Sequence, residues 1–146
     1  MRGIIFFLTI ILAAGTSHLT ALDKPEYEFR GVHFMAEYCG CDEKALTDIE
    51  ALKKAMHEAA LASGATILES VDHVFAPNGL TLVILLSESH ASIHTYPEHR
   101  ACFVDLFTCG DHCSSKGFDA IMRAYLHPTE AHQKILIRSE TINDKE

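Results

Sequence analysis

Basic residues are scarce in this 146-residue chain: twelve Lys and Arg stand against twenty Asp and Glu, a formal net charge of −8. They are also scattered, so the chain lacks the positive face that displaces counterions from a phosphate backbone, which argues against nucleic-acid binding. An anionic substrate would be poorly steered here. An apolar run of membrane-spanning length, about 20 residues, is missing as well. The longest, "GIIFFLTIILAAG" at Gly3 to Gly15, follows Arg2 and precedes the polar "TSH" and then "LTA", the anatomy of a secretory signal cut near Ala21. Initiation near Leu22 or Val32, with the upstream codons translated by mistake, is the plainer alternative. Residues 1–21 are therefore set apart as a signal-like segment with no stable membrane span, and residues 22–146 are taken as one domain. An even set of cysteines is absent too. Cys39, Cys41, Cys102, Cys109 and Cys113 are five, so at least one is unpaired within the chain, and a complete disulfide framework is excluded. Free thiols fit a reducing compartment better than an exported protein. No internal repeat or low-complexity linker is present.

What is present suits a folded core, with 48% hydrophobic and 22% charged residues. "FRGVHFMAEY" at Phe29 to Tyr38 alternates with a period of two, as a strand does. Asp42 can cap a helix to about Ser63, because Leu46, Ile49, Leu52, Met56 and Ala60 recur at helical spacing and Gly64 supplies a stop. Thr66 to Ala76 reads as a strand, "PNG" at Pro77 to Gly79 as a turn, and "LTLVILL" as a buried central strand. His90 to Tyr96 and Ala101 to Thr108 are further strands, Ser115 to about Leu126 is a helix stopped by Pro128, and "KILIRS" closes the chain as a strand. The order β-α-β-β-β-β-α-β, with strands joined by short turns, predicts an α+β two-layer sandwich: an antiparallel sheet with helices on one face.

The stretch "LLSESHASIHTYPEHRACFVDLFTCG", Leu85 to Gly110, concentrates the chemistry. His90, His94, His99, Cys109, His112 and Cys113 are zinc-capable types. In an extended segment, however, His90 and His94 lie about 13 Å apart, too far to share an ion, so no metal is expected. A hydrolase triad of Ser89, a histidine and Glu98 lacks the G-x-S-x-G elbow that exposes such a nucleophile. Taken singly, His90, His94 and Cys109 read as sheet residues, Phe75 as core, Glu98 as a turn residue and Thr81 as a strand residue.

Together, "SESHASIHTYPE" followed by "DLFTCG" resembles the processing and active-site region of the prokaryotic S-adenosylmethionine decarboxylases, small pyruvoyl-dependent enzymes of polyamine synthesis. The resemblance extends to "GVHFMAEY", "SGATIL" and "FAPNGLT", and so covers roughly Gly31 to Leu126. It implies a chain that cuts itself between Glu88 and Ser89 into a β chain and an α chain, with Ser89 becoming the pyruvoyl group that forms a Schiff base with the substrate amine. By the same resemblance His94 is the processing base, and Thr81 stands where the family usually has a processing serine, its extra methyl stiffening the rotamer. Cys109 is the proton donor to Cα, Phe75 stacks on adenine, and Glu98 holds the ribose hydroxyls. Tyr96 stands where relatives often have tryptophan.

The implied activity is decarboxylation of S-adenosylmethionine to the aminopropyl donor for spermidine, by a homodimer of αβ protomers with sites near the subunit interface. The implied location is the cytoplasm, against which the signal-like segment sets a periplasmic or secreted one. Two alternatives stay open: pyruvoyl-dependent decarboxylation of a basic amino acid such as ornithine or arginine, and a secreted homologue that keeps the fold without the cofactor.

Overall fold

The alternation in the sequence becomes one six-stranded antiparallel sheet in the computed structural model, which describes residues 29–109 and 111–139. The signal-like segment 1–21 lies outside the described residues. The elements run β1 (Arg30–Cys39), α1 (Glu43–Thr47), α2 (Ile49–Ala62), β2 (Ile67–Phe75), β3 (Gly79–Leu86), β4 (Ser89–Tyr96), a 3₁₀ turn (Pro97–His99), β5 (Ala101–Thr108), α3 (Ser115–Leu126) and β6 (Glu130–Ser139). The sheet order is β2-β3-β4-β5-β1-β6. Three consecutive antiparallel neighbours therefore lead from β2 to β5, and β1 returns to pair with β5 on one side and β6 on the other.

One face of each inner strand is apolar and covered by the helices. Phe34, Ala36 and Tyr38 from β1, Leu80, Leu82, Ile84 and Leu86 from β3, Ala91 and Ile93 from β4, and Cys102, Val104 and Leu106 from β5 form the floor. Leu52, Met56, Ala59 and Ala60 of α2 and Phe118, Met122 and Leu126 of α3 close over it at helical spacing. Each Leu- or Phe-sized side chain taken from water here contributes about 1.5–3 kcal/mol. A half-buried polar link joins β1 to α3. The Tyr38 hydroxyl donates to Asp119 Oδ1 at 2.6 Å, and Arg123 Nε donates to the same carboxylate at 2.9 Å.

Three sequence expectations need correction. The helix predicted from Asp42 to Ser63 is two helices: Asp42 does cap the first, but Asp48 leaves helical geometry, accepts from the Ala51 N–H and caps a second. A second capping residue inside an apolar period breaks it without disturbing the spacing. The strand predicted to be buried and central, β3, is internal in the sheet but covered on one face only, so Val83 and Leu85 stand 38% and 51% exposed. Phe103 on β5 joins them on this open face at 49%. β6 also begins earlier than "KILIRS", at Glu130, because the pairing with β1 continues to Cys39.

Candidate active site

A two-residue turn, Ser87-Glu88, joins β3 to β4, and Ser89 is the first residue of β4, paired with Leu86 on one side and Thr108 on the other. The turn is tied down from outside the hairpin. Ser87 N–H donates to Thr66 O at 2.9 Å, Thr66 N–H donates to Glu88 Oε2 at 2.9 Å, and Cys109 N–H donates to the Glu88 carbonyl at 3.0 Å. Burial pushes the Glu88 carboxyl up, but the N–H groups of Thr66 and Glu88 itself, with His112, outweigh it and the net shift is downward. Ser89 has φ 151°, in the half of conformational space that favours glycine, whereas the other non-glycine residues with positive φ among the described residues, Arg100 and His127, close helical turns. A side-chain-bearing residue held this way stores about 1–3 kcal/mol. The carbonyl before Ser89 is thus polarised by a backbone donor, and the backbone that follows it at Ser89 is strained. The Ser89 hydroxyl lies 3.2 Å from His90 Nδ1, and His90 shares the open face with His33 and Phe107.

The other sequence-predicted residues gather at the opposite end of β4. Thr81 and His94 are cross-strand partners, and the Thr81 hydroxyl is hydrogen-bonded to His94 Nδ1. The His94 ring packs edge-on to Phe75 at 5.9 Å and to Tyr96 at 4.7 Å. Phe75, His94, Tyr96 and Glu98, with Glu43 from α1, line a cavity of about 590 Å³. Pockets that take drug-sized ligands range over about 300–1,000 Å³, and this one joins aromatic faces to two carboxylates. That combination suits a flat base, a diol and a cation.

The structure therefore brings Glu88, Ser89 and Cys109 together, and separately Phe75, Thr81, His94 and Glu98. It does not bring the two groups together within one chain. Five residue steps of extended strand separate Ser89 from His94, about 16 Å, so His94 cannot take a proton from the serine of its own chain, and no Ser89-Glu98 triad exists. Three groups placed beside the turn lay outside the sequence reading. His90 was taken as a sheet residue, although its place directly after Ser89 was a usable signal. The Cys109 N–H and the Thr66 N–H carry no side-chain signature at all.

Beside the turn, His112 Nε2 lies 3.3 Å from Glu88 Oε1, and the donor atoms of Glu88, His112 and Cys113 all fall within 4.8 Å of one another. Among the described residues, no helix is long and apolar enough to cross a membrane.

Comparison with known proteins supplies the frame for this geometry. The family model described as S-adenosylmethionine decarboxylase matches residues 32–139. A protein of Pelotomaculum thermopropionicum named S-adenosylmethionine decarboxylase proenzyme is 51% identical over 81 residues, 56% of this chain and 64% of that one. A Thermotoga petrophila protein of the same name is 41% identical over 95 residues, 64% of this chain and 73% of that one. The chain thus spans somewhat under two thirds of the Pelotomaculum relative. The crystal structure of the adenosylmethionine decarboxylase from Aquifex aeolicus superposes with a TM-score of 0.72 at 28% identity, covering 82% of this chain and 98% of that one. With the matched residues running from β1 to the end of β6, the chain belongs to the S-adenosylmethionine decarboxylase family.

Proposed function

We propose that this chain is a self-processing S-adenosylmethionine decarboxylase whose cofactor is a pyruvoyl group made from Ser89, supplying decarboxylated S-adenosylmethionine as the aminopropyl donor for spermidine formation. The observation that carries this reading is the Glu88–Ser89 bond: a positive φ at Ser89, and a carbonyl that accepts from the Cys109 N–H at 3.0 Å. In the first step the Ser89 oxygen attacks the Glu88 carbonyl carbon. A C–O bond forms, the C–N bond breaks, and the hydroxyl proton passes through a base to the freed amine, so the amide becomes an ester. The Cys109 N–H stabilises the developing oxyanion, and breakage of the C–N bond releases the backbone strain. Removal of the Ser89 Cα proton expels the Glu88 carboxylate, and hydrolysis of the resulting dehydroalanine frees ammonia and leaves the ketone.

The residues present fit such a group, since the serine, the polarised carbonyl and Cys109 share one corner of the sheet. When present, a pyruvoyl ketone captures the substrate amine and withdraws electrons as carbon dioxide leaves. In this reading Phe75 stacks on adenine, Glu98 accepts from the ribose hydroxyls, and Cys109 returns the proton to Cα. The substrate is expected in the cytoplasm, where we place the protein.

The reading includes a homodimer. His94 and the cavity lie about 16 Å along the strand from Ser89, and the open face carries Val83, Leu85 and Phe103 exposed, so a second copy seated on that face offers its His94, Phe75 and Glu98 to the Ser89 of the first. Intact mass of the purified protein tests the cleavage: two fragments, the second beginning with a blocked pyruvoyl end, are expected, and Ser89→Ala should stay whole. Co-expression of Ser89→Ala with His94→Ala tests the sharing. The His94→Ala chain should be cut when its partner supplies His94 and stay whole when expressed alone. Cleavage of Ser89→Ala at the same bond would overturn the nucleophile, and failure of the mixed pair would overturn the shared site.

A further inference from the structure

We propose that Glu88, His112 and Cys113 form a zinc site, open at one position, beside the β3–β4 turn. The three come from two segments that the fold holds against each other. Glu88 belongs to the turn, and its carboxylate is oriented by the Thr66 N–H on Oε2, which leaves Oε1 directed at His112 Nε2 at 3.3 Å. His112 and Cys113 belong to the segment between β5 and α3, which is pinned at both ends: Cys109 N–H donates to Glu88 O, and Ser114 N–H donates to Ser63 O at 2.8 Å.

All three donor atoms lie within 4.8 Å of one another. Tetrahedral zinc with bonds of about 2.0–2.3 Å needs ligand atoms about 3.3–3.7 Å apart; the Glu88–His112 edge already has this length, and the thiol closes the rest by side-chain rotation. The Glu88 side chain is only 9% exposed and Cys113 is half-buried, while His112 opens to solvent at 60% and leaves a route of entry.

The donor set selects the ion. One imidazole, one thiolate and one carboxylate suit the borderline zinc ion, whereas magnesium and calcium call for oxygen throughout. A thiolate beside a carboxylate is unfavourable without a cation, and a divalent ion neutralises the pair. Three protein ligands leave a fourth position for water. Under the proposed function, on which this one consequence rests, Glu88 ends one fragment while His112 and Cys113 lie on the other, so the ion joins the two fragments next to the break.

The test uses full-length protein stripped with a chelator and titrated with cobalt(II) as a spectroscopic stand-in for zinc, followed by zinc competition. One equivalent per chain is expected, with a near-ultraviolet thiolate-to-cobalt charge-transfer band. Cys113→Ser should abolish the band, and both Cys113→Ser and His112→Asn should weaken zinc by more than about a hundredfold, beyond the cost of losing an outer-shell partner. Cys109→Ser should keep both band and affinity. Ser89→Ala should bind as tightly as the parent protein, so that loss of cleavage and loss of zinc are read separately. Absence of the band, or a Cys113→Ser protein that keeps its affinity within tenfold, would overturn the site. Because Cys113 packs against the edge of the core, equal melting temperatures of the metal-free forms serve as the folding control.

Discussion

Replacing Gly117 with alanine should destabilise this protein even though helix propensity argues the reverse. Gly117 lies in the first turn of α3, where alanine would ordinarily gain about 1 kcal/mol over glycine. A Cβ built there, however, would lie 2.0 Å from the Ala62 carbonyl oxygen and 2.7 Å from its carbon. The obstacle is backbone at the end of α2, so no rotamer change relieves it, and α3 must retreat by more than an ångström. That retreat loosens Phe118 and Met122 from the core they share with Ala59 and Ala60. Overpacking of this kind costs about 1–3 kcal/mol, and a clash with backbone belongs at the upper end. After the propensity gain the net loss is about 1–2 kcal/mol, or a fall in melting temperature of roughly 4–8 °C for a domain of this size. Gly79→Ala is the control, because its Cβ would meet nothing nearer than the Phe75 Cβ at 3.4 Å. Since Ser114 N–H is hydrogen-bonded to Ser63 O, the same displacement drags the segment that carries the Cys109 N–H, and self-cleavage should slow with the loss of stability. Thermal denaturation of the two variants decides the matter. A Gly117→Ala protein that melts at or above the parent temperature would refute the close approach of α3 to α2.

The polar link under the helices and the Thr81–His94 pair give two further expectations. Burial, then the bond to Asp119, hold the Tyr38 hydroxyl far above its ordinary pKa, so it donates throughout the working range. Tyr38→Phe removes that donor while Arg123 still satisfies Asp119, and urea denaturation should register a loss of about 1–2 kcal/mol with an unchanged m-value. Thr81→Val keeps the shape of the side chain but takes the hydroxyl from His94, so self-cleavage followed by intact mass should slow by about a hundredfold at an unchanged melting temperature. Thr81→Ser, free of the stiffening methyl, should cleave at least as fast as the parent.

The inner strands and α3 were legible in the sequence because their inner and outer residues alternate on one period each, and the buried positions are apolar apart from Thr95 and Thr108. The break at Asp48 was not, because a capping aspartate and a solvent-facing aspartate look alike until the N–H groups it accepts from are known. The half-exposure of β3 escaped for a related reason. An unbroken apolar run is what a doubly covered strand and a singly covered strand with a sticky outer face both look like, and only the packing of α2 and α3 on one side separates them. The site divides in the same way. Its side chains could be named from their order along the chain, since a motif preserves residue identity and spacing. Order along a chain carries no metric, however. Ser89 and His94 sit five positions apart in one short motif and read as neighbours, yet a strand turns five positions into about 16 Å. Under the proposed function, it is the extended conformation of β4 that makes a single copy of this motif insufficient. On the proposed shared site, a motif that looks complete in one chain describes two half-sites, each needing the other end of a second sheet.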